Sequence, residues 1–144
     1  MKAIFFIFCI FFMGNSLLYS EAKASESEST LDDYKIFTLA KCITSNYEKM
    51  GVDFTKLPLK DNTMGFIDID AGLAFYRNKD NVLASFINKK TGGFYRPKQT
   101  SGDLASSNMV IYDCVNFYHS KELGVFLKKI IHERTVEIER NALE

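Results

Sequence analysis

Two cysteines far apart in the chain constrain its fold more than any other feature. Cys42 and Cys114 are 72 positions apart, and the third cysteine, Cys9, lies in an apolar N-terminal segment. If that segment is an export signal, an even pair remains in an oxidising compartment, which predicts a disulfide. Closing a loop of this length would stabilise the fold by roughly 4 kcal/mol on the chain-entropy model. The alternative is two buried free thiols, which we would prefer only in a reducing cytosol.

The first 24 residues have the layout of a secretory signal peptide. Met1-Lys2 supplies a positive start, Ala3 to Met13 is an unbroken apolar run, and Ala22-Lys23-Ala24 offers a small-x-small cleavage site. The apolar run is shorter than the ~20 residues that a membrane span needs. We therefore expect cleavage after Ala24, with Ala22 as the second choice. The alternative is an uncleaved N-terminal anchor.

The remaining chain, residues 25–144, is long enough for one helical domain and too short for two. Without Lys2, Lys23 and Glu21 it has 16 Lys and Arg residues against 17 Asp and Glu residues, a net charge of about −1. That balance argues against nucleic acid as a partner. A second long apolar run is missing from this part of the sequence, so no membrane contact is expected after cleavage.

Hydrophobic periodicity predicts an all-α fold, a compact bundle of about five helices. The first helix should begin at the cap Thr30 and stop at Gly51, with an apolar face of Ile36, Ala40, Ile43, Tyr47 and Met50. Residues 52–62 form a connector, because Pro58 forbids a continuous helix there. A second, central helix over residues 63–77 has a wide apolar stripe that includes Phe66, Ile67, Ala71, Ala74 and Phe75.

Three further helices are predicted in the second half of the chain. Asp80 can cap the third, whose inward residues are Val82, Leu83, Phe86 and Ile87. The fourth covers Leu104 to Tyr118, with Ile111, Cys114, Val115 and Tyr118 inward. Ser120 caps the fifth, with Leu123, Phe126, Leu127, Ile130 and Ile131 inward. Val136 and Ile138 alternate with glutamates and would also suit a short strand. The disulfide would pin the first and fourth helices side by side.

No set of residues has the spacing of a catalytic or metal site. The two histidines, His119 and His132, do not belong to a Cys-x-x-Cys or His-x-x-x-His element, so no metal or other cofactor is expected. Asp68 and Asp70 are two positions apart and would point to different faces of a helix. A Cys/His hydrolase would need a free thiolate, such as Cys114, with a base in reach. We therefore predict no catalytic residue, and a binding protein rather than an enzyme.

The candidate binding segment is the loop predicted at residues 91–103. Its three glycines and one proline oppose regular structure, and no acid lies between Asp80 and Asp103. Aromatic residues beside arginine dominate interface hot spots, and a stiff loop loses less entropy on docking. Composition leaves open whether Phe94 and Tyr95 face a partner or fold back onto the core. The candidate binding residues are Gly92, Gly93, Phe94, Tyr95, Arg96, Pro97 and Lys98.

The segment from Asp113 to Leu123 resembles the signature of the type VI secretion system amidase immunity proteins, the Tai family, in its fourth class. It reads Asp-Cys-Val-Asn-Phe-Tyr-His-Ser-Lys-Glu-Leu, where the family pattern is close to Lys-Cys-Leu-Asp-(Leu/Met)-Tyr-His-Ser-Lys-x-Leu. The run Leu39-Ala40-Lys41-Cys42-Ile43, with Tyr47, resembles the family's first helix. Asp113 stands where the family has lysine, and the loop at 91–103 is longer and more basic.

The resemblance implies a periplasmic immunity protein that acts in interbacterial competition, as one half of a toxin–antitoxin-like pair. Such a protein binds and occludes a secreted peptidoglycan amidase, a Cys/His endopeptidase that cuts between D-glutamate and diaminopimelate, and so protects the cell and its sisters. It also implies a homodimer that forms a heterotetramer with two amidases. By analogy, residues 92–102 would plug the catalytic groove. We assign Tyr118, His119 and Ser120 structural roles between the last two helices.

Two other functional classes remain as alternatives. A periplasmic helical chaperone or stress-related binding protein would show a broad exposed apolar groove and promiscuous, weak binding. An enzyme acting on the cell wall would need a free Cys114 near a histidine. An immunity protein should instead have one partner, bound one to one and released slowly.

Overall fold

The computed structural model describes residues 28–71 and 81–143, with the backbone alone for residues 68–71. Its helices are α1 (residues 28–49), α2 (Thr63–Ala71), α3 (Val82–Thr91), α4 (Val110–Tyr118) and α5 (Lys121–Asn141), with a 3-10 turn at Phe54–Lys56. These two ranges contain no strand, so the predicted all-α bundle is confirmed. The predicted signal peptide, residues 72–77 of the second predicted helix and Asp80 lie outside them.

The Cys42–Cys114 disulfide joins α1 to α4, as predicted, with the two Cα atoms 5.9 Å apart. A second contact lies on one side of the bridge, where Lys35 Nζ of α1 is 5.9 Å from the centre of the Tyr118 ring of α4. An earlier residue of α1 therefore faces a later residue of α4. The two helices run antiparallel, and the disulfide fixes their register.

The buried stripe of α1 contains four residues at a spacing of four, Tyr34, Thr38, Cys42 and Asn46, together with Phe37. The predicted apolar face was wrong at Ile36, 41 % exposed, and Met50, 37 % exposed, whereas Ile43 and Tyr47 pack against buried residues as predicted. Hydrophobic periodicity missed the true stripe because two of its members are polar. Thr38 satisfies its hydroxyl locally, since Oγ1 donates to the carbonyl oxygen of Tyr34 at 2.8 Å.

The inward face of α4 differs from the predicted one and includes a buried carboxylate. Its buried residues are Val110, Asp113, Cys114 and Phe117. Ile111, 57 % exposed, and Val115, 37 % exposed, were wrongly predicted to face inward. A pattern search for apolar residues rejects the true stripe because it contains a carboxylate.

The main core contains buried residues from all five helices. Its buried members are Tyr34, Phe37, Ile67, Leu83, Ile87, Phe117, Leu123 and Leu127. Phe86 of α3 stacks on Phe126 of α5 with ring centroids 3.8 Å apart, which adds an aromatic contact between these helices. The predicted inward residues of α3 and α5 lie in or against this core, except Val82, which is 58 % exposed. Phe66 of α2 is also exposed.

Two helix ends agree with the predicted capping chemistry. Gly51 has a φ of 92° and ends α1, because a glycine adopts this left-handed conformation without a Cβ clash. Ser120 is the N-cap of α5, and its hydroxyl accepts the N–H of Leu123 at 3.1 Å. α5 then continues to Asn141, so Val136 and Ile138 lie in a helix rather than in a strand.

Three predicted helix starts were wrong. Thr30 lies inside α1, because residues 28 and 29 are already helical and an acid such as Glu28 suits the first turns of a helix. Asn81, not Asp80, caps α3. α4 begins at Val110 rather than at Leu104, since the intervening Ser-Ser-Asn run favours turns. None of the helices in the described ranges is long and apolar enough to cross a membrane.

Replacing both bridge cysteines by alanine should lower the free energy of unfolding by roughly 4 kcal/mol, because the reduced chain has more conformational freedom when unfolded. Urea denaturation of residues 25–144 measures the difference. A reductant supplies the control: it should lower the stability of the wild-type chain to that of the double variant and leave the variant unchanged. Equal midpoints for the oxidised wild type and the variant would contradict the prediction.

Candidate functional site: the α3–α4 loop

The candidate binding segment lies in the α3–α4 loop, residues 92–109. The loop starts one residue later than predicted, because Thr91 is the last residue of α3, and it continues to Met109. Thr91 is buried, and its Oγ1 donates to the carbonyl oxygen of Ile87 at 2.8 Å. The loop therefore leaves the bundle from a fixed point in the core.

A buried amide of α1 fastens the base of the loop. Asn46 is 0 % exposed, and its Nδ2 donates to the carbonyl oxygens of Cys42 (2.8 Å) and Thr91 (3.0 Å). Its Oδ1 accepts the backbone N–H of Tyr95 at 3.0 Å. Both donors and the acceptor of the amide are thus paired, as burial requires. This one side chain connects α1, the end of α3 and the loop.

A lysine of α1 holds the first loop residue from outside. Lys49 Nζ donates to the carbonyl oxygen of Gly92 at 2.8 Å and to Asn88 Oδ1 at 3.3 Å. Gly92 has an ordinary helical φ of −65°, so space rather than conformation requires a glycine here. A Cβ would collide with the Asn88 carbonyl oxygen and lie 3.0 Å from Lys49 Nζ. At Gly93, in contrast, a Cβ would meet nothing within 4 Å.

Phe94 and Tyr95 fold back onto the bundle, which answers the question that composition left open. Phe94 is half-buried and packs against the main core and against the second cluster, formed by Cys42, Val110 and Cys114. Tyr95 packs against this second cluster as well. Both aromatic side chains, each half-buried, therefore pack the loop against the disulfide cluster.

Two positively charged side chains lie beside the ring of Tyr95. Arg96 Nε is 3.4 Å from the Tyr95 hydroxyl, and the guanidinium carbon is 5.6 Å from the ring centre. Lys49 Nζ lies 5.8 Å from the same centre. The hydrogen bond and the charge of Arg96 lower the pKa of Tyr95 below its ordinary value, and the nearby charge of Lys49 acts in the same direction. The base of the loop is thus a basic, aromatic surface.

The rest of the loop is open to solvent and returns to α4 through an ion pair. Arg96, Pro97 and Lys98 are exposed, as are most residues up to Met109. Lys98 Nζ donates to Asp113 Oδ1 at 2.8 Å. The structure therefore separates the predicted binding residues into two groups, Gly92 to Tyr95 as a seated base and Arg96 to Lys98 as the start of an exposed tip.

The other residues singled out in the sequence lie away from the loop. Ser120 caps α5, and His119 follows α4 with its ring edge-on to Tyr118, the centroids 4.8 Å apart. His132 is exposed in the middle of α5. Among the residues that the structure describes, no group of histidine, cysteine and acidic side chains could hold a metal ion.

Sequence reasoning missed the three polar residues that fasten the loop, Asn46, Lys49 and Asp113. Asn46 offered a signal in retrospect, because it is one helical turn after Cys42 and a residue at that spacing shares the face of the bridge. Asp113 offered no such signal, because adjacent positions such as 113 and 114 do not share a helix face. No local pattern identifies the loop groups that these side chains bind, because these partners lie 15 to 49 positions away.

Replacing Asn46 by alanine should lower the free energy of unfolding by about 2–4 kcal/mol, because it leaves the Tyr95 N–H and the Thr91 carbonyl without their partner. Urea denaturation gives the change, and hydrogen exchange at the Tyr95 amide should accelerate. Ser45→Ala on the same helix is the matched control and should be within about 0.5 kcal/mol of the wild type. Equal stabilities for the two variants would show that the amide does not fasten the loop.

Alanine should be tolerated at one of the two adjacent glycines and not at the other. Gly92→Ala should cost about 1–3 kcal/mol of stability, because the added Cβ forces the Asn88 carbonyl or the chain to move. Gly93→Ala should be nearly neutral, since its Cβ points into open space. Thermal melts of the two variants measured side by side test this, and a larger loss at Gly93 would contradict the geometry.

Comparison with known proteins adds no relative. The chain matches no protein-family model, no curated protein and no solved structure. The resemblance of residues 113–123 to the amidase immunity proteins therefore stays a hypothesis. The geometry of the α3–α4 loop carries the functional argument.

Proposed function

We propose that this chain is a periplasmic immunity protein whose α3–α4 loop occludes the active-site groove of a secreted peptidoglycan amidase. The observation that carries the proposal is the construction of the loop. Its base is fastened to buried groups of α1 and to the disulfide cluster, while its tip from Arg96 onward is exposed. The resemblance of residues 113–123 to the amidase immunity proteins supports the choice of partner.

A fastened loop is suited to enter a groove. Ordering a flexible segment costs free energy on association, and a loop that is already held loses less. Asn46 and Lys49 hold the two ends of its base, and the backbone hydrogen bonds from Phe94 N–H to Thr91 (3.0 Å) and from Arg96 N–H to Gly93 (3.1 Å) give it internal structure. Tight, long-lived binding, as protection from a toxin requires, is consistent with this preorganisation.

The charges near the loop favour a partner with an acidic groove edge. Two lysines are already paired within the protein, Lys90 with Glu122 and Lys98 with Asp113. Within the described residues, Lys89 and Arg96 have no carboxylate partner and face solvent. Opposite charges on the partner would steer encounter and set orientation more than they would add affinity.

The disulfide supports a binding role over a hydrolytic one. Cys42 and Cys114 are both 0 % exposed and bonded to each other. A thiolate nucleophile needs a free sulfur within reach of a base and of the substrate, which neither of these cysteines supplies in the oxidised chain.

The proposal includes the homodimer and the heterotetramer with two amidases. Light scattering of the isolated and mixed proteins tests these assemblies.

Reversing one exposed charge should weaken the complex and leave the fold intact. Arg96→Glu should raise the Kd for the amidase at least about tenfold, equivalent to ~1.4 kcal/mol, because it removes the solvent-facing cation of the loop. Calorimetric titration of residues 25–144 into the secreted Cys/His amidase that is proposed as its partner measures the Kd. A peptidoglycan cleavage assay with the same mixtures measures inhibition.

The matched control is Lys128→Glu, which reverses an exposed charge on α5 and should change neither affinity nor melting temperature. Failure of the wild-type chain to bind or inhibit the amidase would refute the proposed function. Retention of many unrelated unfolded proteins at low affinity would instead favour the chaperone alternative.

A further inference from the structure

We infer that Lys98 is a positioning residue that holds the exposed half of the α3–α4 loop against α4 through Asp113, and is not itself a contact for the partner. The consequence for amidase binding rests on the proposed function, whereas the holding contact does not. Sequence reasoning grouped Lys98 with Arg96 as two cations of one binding surface. The geometry gives these two residues opposite orientations.

The two partners of the Lys98–Asp113 ion pair have unequal environments. The Asp113 side chain is only 9 % exposed and lies on the buried stripe of α4, next to the bridged Cys114. The Lys98 side chain is 54 % exposed and reaches inward from the loop, with Nζ 2.8 Å from Asp113 Oδ1. The carboxylate is therefore the fixed member of the pair, and the loop is the member that is held.

Asp113 has little else to compensate its charge. Its second oxygen, Oδ2, is buried and accepts no hydrogen bond from any group that the structure describes. An ionised carboxylate inside a protein is costly unless it is paired and hydrogen-bonded. The ammonium group of Lys98, which donates to the other oxygen, Oδ1, supplies the positive charge that the carboxylate needs. If the loop moved away, the charge of Asp113 would remain buried without a partner, so the loop is retained.

Arg96 shows the contrasting case two positions earlier. Its guanidinium rests on the outer edge of Tyr95 and has no carboxylate partner in the described residues. One cation of the loop therefore points to solvent, where a partner can reach it, and the other points into the protein. Between them, Pro97 has a restricted φ, which limits how far the chain can rearrange.

Neutralising variants separate holding from contact. Asp113→Asn keeps the shape of the side chain and removes the buried charge. Lys98→Ala leaves that charge buried without its cation. Lys98→Ala combined with Asp113→Asn removes both charged groups. Hydrogen exchange of the amides of residues 99–109 should accelerate severalfold in all three variants, because each loses the ion pair. Stability should fall most in Lys98→Ala and recover in the double variant, because removing the stranded carboxylate relieves the cost.

Binding to the amidase should weaken to a similar extent in all three variants, with the double variant no weaker than either single variant, as expected when two residues act through one contact. Lys89→Ala is the control, since Lys89 is an exposed lysine close to the loop, and it should leave loop exchange unchanged. The inference is overturned if Lys98→Ala weakens binding while loop exchange stays at the wild-type rate. Accelerated exchange together with no binding by the wild-type chain would refute the proposed function and leave the holding contact established.

Discussion

The bond between Cys42 and Cys114 fixes the register of two antiparallel helices, and the position of the α3–α4 loop follows from that register. α1 supplies the groups that bind the base of the loop, Asn46 and Lys49, one and two helical turns beyond its cysteine. α4 supplies Asp113, directly before its own cysteine, to hold the exposed half. If the helices slid past each other by one turn, about 5.4 Å, these contacts could not form together.

Polar residues inside the buried stripes explain why sequence periodicity misassigned two helices. On α1 the true stripe includes Thr38 and Asn46, and on α4 it includes Asp113. Each has a different hydrogen-bond partner: the threonine bonds to its own helix, the asparagine to three backbone groups, and the aspartate to a lysine. A rule that searches for apolar residues predicts that Ile36 and Ile111 face inward, whereas both are exposed.

Where the local chemistry was sufficient, the sequence predicted the structure well. The cysteine pair, the stop at Gly51 and the cap at Ser120 depend on one residue type in one context, and all three are present. The position of the loop also followed from its glycines and Pro97. The orientation of Phe94 and Tyr95 could not be predicted, because it depends on a cluster of residues up to 53 positions away in the chain.

Two features of the sequence meet in one contact. The buried stripe of α4 contains a carboxylate, Asp113, and the α3–α4 loop has no acid before Asp103. A carboxylate at this buried position needs a positive partner, and a basic loop can supply one from outside the bundle. Lys98 does so at 2.8 Å. The charge count of the loop therefore overstates what it offers to a partner, because one cation balances a buried aspartate while Arg96 remains directed outward.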